Sequence, residues 1–293
     1  MTADATDPQT KALLARAIVA LKQSRQQIEA LERGASEPIA IIGMGCRFPG
    51  DIDSPEALWA FLQRRGDAIS EVPSTRWNAD AWFDPDPEMP GRMYSRTGGF
   101  VRDLEQFDAT FFGISPREAR WIDPQHRLLL ETSWAALEHA CVPPDALIGS
   151  ATGVFVGITA GDYGERLLRT YGSMIEPYFL TGNSLNFAAG RVAYTLGLRG
   201  PTMAVDTACS SSLVALHLAC QSLRARECEL ALAAGVNALI SPTGHLVTCK
   251  TRMQSPSGRC HTFSAQADGI ARGTQHLIQL VQAVQMRDQC GVF

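Results

Sequence analysis

The chain has 293 residues, of which 45% are hydrophobic and 19% charged, and its formal net charge is −4. This composition supplies enough apolar side chains for one large domain or two small ones, and it offers no basic surface for nucleic acid. The N-terminus lacks the features of a signal peptide, no apolar run reaches the roughly 18 residues of a membrane span, and the eight cysteines show no paired spacing. We therefore expect a soluble protein of the cytoplasm that binds neither nucleic acid nor membrane.

A long helical pattern without Gly or Pro opens the chain, from about residue 9 to residue 33. Leu14, Leu21 and Ile28 recur every seven residues, as in a coiled coil, although Arg25 interrupts the apolar seam. A helix of this length is too short to be stable alone in water. We interpret the pattern as a helix that pairs with a second helix; the alternative is an amphipathic helix that lies on its own domain.

The rest of the chain alternates between strand and helix patterns, apart from a stretch rich in Pro, Asp and aromatic residues at 46–112. Strands are predicted at 39–43, 152–158, 203–208 and 230–236. Helices are predicted at 55–65, within 117–139, at 183–196 and at 210–226. Such alternation indicates an α/β fold with a mainly parallel sheet.

One cysteine is distinguished by its surroundings. Cys209 ends a β-prone stretch and lies where a helical run begins, in the sequence VDTACSSS at 205–212. The N–H groups and dipole of a helix N-terminus stabilise a thiolate, so Cys209 is a candidate nucleophile. The small hydroxyl residues that follow can cap the helix and leave room for a substrate.

The other cysteines carry a weaker signal. No C-x-x-C spacing occurs, so zinc, haem and redox-pair sites have little support. Five of them are interpreted as small buried apolar residues: Cys46, Cys141, Cys220, Cys228 and Cys249.

Six separated motifs follow one another along the chain: EPIAIIGMGCRFPG (37–50), FFGISPREA (111–119), DPQHR (123–127), DTACSSSL (206–213), AAGVN (233–237) and SPSGRC (255–260). Together they resemble the ketosynthase domain of modular polyketide synthases, in the thiolase-like β-ketoacyl synthase superfamily. The resemblance runs from about residue 37 to residue 273. It implies a thiolase-like layered α/β fold, of which this chain would hold mainly the first of two pseudo-repeated halves. The preceding helix resembles the N-terminal docking coiled coil of such synthases.

The resemblance implies a decarboxylative Claisen condensation. Cys209 matches the family's nucleophile, which takes an acyl group from the phosphopantetheine arm of an acyl carrier protein before a malonyl-type extender loses carbon dioxide and attacks. The backbone N–H of Cys209 would supply one oxyanion donor. No tightly bound cofactor and no metal are implied. The implied partners are the acyl carrier protein, an upstream synthase terminus at the N-terminal helix, and a second copy paired along residues 203–208.

The chain departs from the family pattern in its histidines. Family active sites use two histidines, in H-G-T-G-T and N-x-G-H motifs, and a late Gly-Phe-Gly-Gly loop, and the 293 residues contain none of these. His126, His139 and His217 are assigned structural or surface roles. His245 and His261 fall in loop-like segments near matched motifs, where they could line a pocket.

The chain also departs from the family after Gly273. The family has a Gly-rich strand there, whereas the apolar residues Leu277, Leu280, Val281 and Val284 fall at helical spacing. We therefore predict an exposed, Gln-rich amphipathic helix over 274–286 and a truncated ketosynthase. A frameshift, an erroneous gene prediction and a genuine truncation would each produce such a tail.

These patterns divide the chain into a docking helix and linker (1–36), the N-terminal region of a ketosynthase (37–273) and a divergent tail (274–293). One hypothesis is a ketosynthase that keeps the loading step at Cys209. The other is a catalytically inactive, truncated ketosynthase that acts as a docking fragment. An inactive chain-length partner would usually have replaced the cysteine, a metabolic thiolase is a more distant match, and a cysteine hydrolase would need a Cys/His/Asn arrangement that is not seen.

Overall fold

The computed structural model describes residues 8–35, 37–159 and 161–283. Its helices are α1 Pro8–Ala35, α2 Pro55–Gln63, α3 Pro116–Ala119, α4 Pro124–His139, α5 Asp162–Tyr171, α6 Tyr178–Asn183, α7 Asn186–Thr195, α8 Ser211–Arg224 and α9 Thr243–Lys250. Its strands are β1 Ile39–Arg47, β2 Ile69–Glu71, β3 Thr97–Gly99, β4 Thr152–Ile158, β5 Thr202–Val205, β6 Leu230–Asn237 and β7 Gln275–Ala283. Short 3-10 turns lie at Pro144–Leu147 and Ala208–Ser210.

Five strands form one mixed sheet in the order β1-β7-β6-β4-β5. β4 runs parallel to β5 and to β6, and helices lie between these strands in the chain, as parallel pairing requires. β7, however, runs antiparallel to both β1 and β6. The expectation of a mainly parallel sheet is therefore wrong, because two of the four pairings are antiparallel.

The segment for which an exposed helix is predicted is instead a central strand. β7 hydrogen-bonds along its length to β1 on one side and to β6 on the other, with Leu280 opposite Gly43 and Leu232. A short apolar run fits the helical and the strand period equally well, so periodicity alone cannot separate them. The backbone N–H and C=O groups of β1 and β6 need hydrogen-bond partners. Residues 275–283 supply them on both sides only as a strand. Residues 284–286 of the predicted helix lie outside the described residues.

Helices cover both faces of the sheet, as the burial of β4 on both of its sides shows. All seven of its residues are buried, as in a strand covered on both sides. Val154, Val156 and Ile158 join the core beneath α4 and α7, whereas Phe155 points the other way and packs with the small residues of α8. Strand alternation therefore places α8 on the face opposite α4 and α7.

Residues 48–112 form most of the irregular region expected at 46–112, and its regular parts are α2, predicted at 55–65, and the β2–β3 pair. This region is joined to the main sheet next to β7: the Gly99 N–H donates to the Arg272 carbonyl at 2.9 Å, and the Thr274 N–H donates to the Gly99 carbonyl at 2.7 Å. The irregular region is thereby attached to the segment that leads into β7.

The predicted N-terminal helix is confirmed as α1. Its heptad residues Leu14, Leu21 and Ile28 are all exposed, and Leu21 is 69% exposed. Its pairing with a second helix stays a prediction. Among the helices of the described ranges, none is long and apolar enough to cross a membrane.

Candidate active site

Cys209 is exposed and lies in the 3-10 turn that connects the edge strand β5 to α8. The preceding residue, Ala208, has φ 54°, in the left-handed region that costs a non-glycine residue energy. Its N–H donates to the Asp206 carboxylate at 3.0 Å. The strand–turn–helix arrangement thus presents the thiol at a strained corner, a form that nucleophiles use on other α/β folds.

Serine hydroxyls stabilise this corner. The Ser210 hydroxyl donates to the carbonyl of Thr207 at 2.9 Å. The buried Ser211 hydroxyl accepts from the Thr207 N–H at 2.9 Å and donates to the Ala208 carbonyl at 2.7 Å. The expectation that these hydroxyls cap the helix is therefore wrong, because they bind the turn instead. No side chain of the described residues caps α8, and the N–H of Ser211, its first residue, donates to the Ala208 carbonyl.

Two glycines bring α8 unusually close to the sheet. A Cβ at Gly157 of β4 would lie 2.5 Å from the backbone carbonyl carbon of Ser211, and one at Gly235 of β6 would lie 2.5 Å from the Ser212 Cβ. Only glycine fits at such distances. The start of α8, and with it Cys209, is therefore placed against the carboxyl ends of two parallel strands.

The loop that follows β6 at the same edge of the sheet is held by side chains from three other elements. The hydrogen bonds run from Ala238 N–H to Gln125 Oε1 (3.2 Å), from Leu239 N–H to Thr274 Oγ1 (3.1 Å) and from Ser241 N–H to Asp162 Oδ2 (3.2 Å). Residues far apart in sequence, including the first residue of the predicted tail, thus converge on one loop.

The DPQHR motif begins α4 and is buried there. Burial raises the pKa of Asp123 to about 6, although hydrogen bonds from Gln125 stabilise its carboxylate. Burial also lowers the pKa of His126 to about 3, and within the described ranges neither of its ring nitrogens has a hydrogen-bond partner. His126 is therefore a neutral core residue, in agreement with the structural role assigned to it.

In the part of the chain described, no histidine hydrogen-bonds to Cys209. His245 is a core residue, packed against Trp77 and Phe100, and burial lowers its pKa to about 4. His139 accepts the Met44 N–H at 3.3 Å. Two more are partly or fully exposed: His217 on α8 and His261 in the loop before β7.

The cysteines expected to be buried are mostly so. Cys46, Cys228 and Cys249 are buried, and burial raises the pKa of Cys46 to about 11. Cys220 is half-buried. The expectation is wrong for Cys141, which is exposed because it lies in the turn after α4, with φ 54°.

Comparison with known proteins identifies this arrangement. The sequence model for the N-terminal domain of β-ketoacyl synthases matches residues 36–274. The chain belongs to the β-ketoacyl synthase family. The family assignment confirms the resemblance that the six motifs indicated.

The similar proteins are polyketide synthases. The chain is 54% identical over 237 residues to a phenolphthiocerol/phthiocerol polyketide synthase component of Mycobacterium tuberculosis (strain CDC 1551 / Oshkosh), covering 81% of this chain and 13% of that protein. It is 53% identical over 238 residues to a second phenolphthiocerol/phthiocerol polyketide synthase component, from Mycobacterium bovis, covering 81% of this chain and 15% of that protein. The chain therefore matches only a small part of these curated relatives.

Solved ketosynthases share the fold. The oxazolomycin ketosynthase domain of Streptomyces albus JA3453 aligns with a TM-score of 0.78 at 38% identity, over 84% of this chain and 42% of that one. The ketosynthase from module 6 of the bacillaene synthase of Bacillus subtilis 168 aligns with a TM-score of 0.72 at 35% identity, over 84% and 40%. The thiolase-like fold is confirmed, and the chain spans less than half of a solved ketosynthase.

Sequence reasoning identified Cys209 but missed the residues that shape its surroundings. The left-handed conformation of Ala208 leaves no sequence signal, because alanine does not favour it. Gly157 and Gly235 did carry a signal, since a glycine inside a strand often marks a close approach of another backbone.

Proposed function

We propose that the chain forms the N-terminal part of a polyketide synthase ketosynthase, and that Cys209 accepts an acyl group from a phosphopantetheine thioester on an acyl carrier protein. The observation that supports this best is the setting of Cys209. Its thiol is exposed on a strained turn at the start of a helix whose first N–H groups are capped by no side chain of the described residues. Such a setting leaves the Cys209 sulfur open to attack a substrate.

In the proposed loading step the Cys209 thiolate attacks the carbonyl carbon of the thioester, and negative charge moves to the carbonyl oxygen. The Cys209 N–H, for which the described residues provide no acceptor, donates to that oxygen. The intermediate then collapses, the bond to the pantetheine sulfur breaks, and the departing thiolate takes a proton from water. One C–S bond forms and one breaks, so the acyl group remains as a thioester on Cys209.

Condensation requires more than the nucleophile. In the family two histidines assist decarboxylation, and this sequence contains neither of their motifs. We therefore expect the isolated chain to load an acyl group without condensing it. A carrier-bound malonyl-type extender would lose carbon dioxide only where the rest of a ketosynthase supplies those histidines.

We also propose the partners and the division of the chain. Within the described sheet β5 pairs only with β4, and its Met203 is exposed, which leaves an edge along residues 203–208 for a second copy. Residues 1–36 form the docking helix and linker that receive an upstream synthase terminus. Residues 37–273 form the ketosynthase region, and β7 extends that region into the segment from 274.

A second candidate is a docking fragment without catalytic activity. The exposed heptad residues of α1 favour it, because an apolar seam in water calls for a partner. This candidate shares the docking helix with the first and differs from it only in the reactivity of Cys209.

The test is the intact mass of the full chain after incubation with an acyl-pantetheine thioester. One acyl adduct is expected on the wild type and none on Cys209→Ala, because Cys209 is the acceptor. Cys260→Ala is the matched control, since Cys260 is also exposed, and it should keep the adduct. Absence of any adduct on folded protein, or an adduct that survives Cys209→Ala, would favour the docking fragment.

A further inference from the structure

The turn before Cys209 requires something to hold it. Ala208 has φ 54°, a conformation that costs an L-residue roughly 1–2 kcal/mol. The turn lies at the end of the short edge strand β5, which pairs with β4 only as far as Val205 among the described strands. Sheet pairing therefore does not hold Thr207 and Ala208.

The Ser211 hydroxyl binds both ends of this strained unit. It accepts from the Thr207 N–H at 2.9 Å and donates to the Ala208 carbonyl at 2.7 Å. The side chain bridges from the first turn of α8 back across Cys209, and Ser211 is only 5% exposed, so water does not compete well for these bonds.

The position of Ser211 is itself fixed. The missing Cβ of Gly157 allows the backbone of Ser211 to rest on β4, and the missing Cβ of Gly235 does the same for Ser212 on β6. The hydroxyl is thereby held at one place relative to the sheet. A group held in this way can fix the backbone to which it hydrogen-bonds.

We propose that Ser211 is a positioning residue that locks the left-handed turn at Ala208 and so keeps the Cys209 thiol at the uncapped start of α8. The role rests on the proposed function, in which Cys209 is the nucleophile. Without the hydroxyl, Ala208 relaxes out of the left-handed region and the thiol loses its fixed position at the start of α8. The reactivity of Cys209 falls, while the fold is retained.

The test measures the rate at which iodoacetamide alkylates Cys209 in the full chain at pH 7, with peptide mass spectrometry separating Cys209 from the other cysteines. Alkylation requires a thiolate but no thioester substrate, so its outcome is independent of whether the chain accepts an acyl group. Ser211→Ala is expected to slow the reaction by about threefold to tenfold, the effect of one or two neutral hydrogen bonds.

Two further variants separate positioning from general stability. Ser222→Ala removes a buried, hydrogen-bonded serine from the same helix, about 16 Å farther along it, and should leave the rate at Cys209 unchanged. Ala208→Gly combined with Ser211→Ala should restore the rate, because glycine adopts φ > 0 without strain.

The results decide the role in either direction. Slower alkylation in Ser211→Ala, an unchanged rate in Ser222→Ala and recovery in the double variant support it. Equal rates in wild type and Ser211→Ala, or equal slowing in Ser222→Ala, overturn it. If Ser211→Ala does not fold, a folded and reactive double variant supports the role and an unfolded one overturns it.

Discussion

Single residues decide how Cys209 and the core beside it are arranged. Gly157, Gly235 and Ser211 fix the place where α8 begins, and the strain at Ala208 is confined to one residue. His126 is the opposite case, since it is fully buried and both its ring nitrogens lack a partner within the described ranges. Such a group lowers stability unless it stays neutral, so it should be visible in the dependence of stability on pH.

Replacing His126 with leucine should change that dependence. The folded pKa of His126, lowered to about 3 by burial and by the nearby charge of Arg191, lies below the ordinary value of 6.5. The folded state therefore favours the neutral ring, so this stability is present above pH 6.5 and is lost as the pH falls through 6.5 towards 3. Between pH 7.5 and pH 5 the wild type should lose about 2 kcal/mol of unfolding free energy relative to His126→Leu.

Urea denaturation at the two pH values measures this difference directly. Asp123, with its pKa raised to about 6, contributes with the opposite sign, because its stability is lost as the pH rises. It is present in both proteins, so comparing them cancels its effect to first order. His217→Leu, at an exposed position of α8, controls for loss of a histidine. The prediction would be contradicted if the unfolding free energies of the wild type and His126→Leu changed in parallel with pH.

At the scale of elements, the sequence predicts well where local signals and tertiary demands agree. The alternating apolar residues of β4 and the heptad spacing of α1, despite its interruption at Arg25, predicted both elements within a few residues. The predicted helix over 183–196 corresponds to α7, and the one within 117–139 is divided into α3 and α4. The prediction of a helical tail was wrong because Leu277, Leu280 and Val281 fit both the helical and the strand period. Only pairing with the neighbouring strands β1 and β6 decides between them.

The exposed seam of α1 leads to a prediction at this scale. Leu21→Arg places a charge in the centre of the heptad pattern, where a paired helix would bury it, so self-association of the full chain should weaken about tenfold or more. Sedimentation velocity over a range of concentrations measures the change. Gln23→Arg adds the same charge to an exposed position off the seam and should have little effect. Equal weakening by both, or by neither, would exclude α1 as the pairing surface.

At the scale of the whole molecule, the main sheet depends on β7, the strand for which the sequence pattern predicted a helix. β7 lies between β1 and β6 and supplies both antiparallel pairings, so the first strand of the ketosynthase region joins the parallel strands only through residues near the end of the described chain. α8 packs on the second face of the sheet, and its Leu213 is 70% exposed. A chain spanning 40–42% of a solved ketosynthase thus contains a continuous five-stranded sheet.

Gln279→Pro tests whether β7 has this central role. Gln279 lies opposite Met44 of β1 and Ala233 of β6, and proline removes an N–H from the ladder and cannot be accommodated in a central strand. We expect a loss of about 3 kcal/mol or more, enough to unfold a marginally stable domain, measured by thermal unfolding followed by circular dichroism. Gln279→Thr keeps the N–H and favours strand, so it should unfold near the wild-type temperature. If residues 275–283 were instead an exposed helix beside the sheet, Gln279→Pro would disrupt only that helix, and the main transition would stay in place.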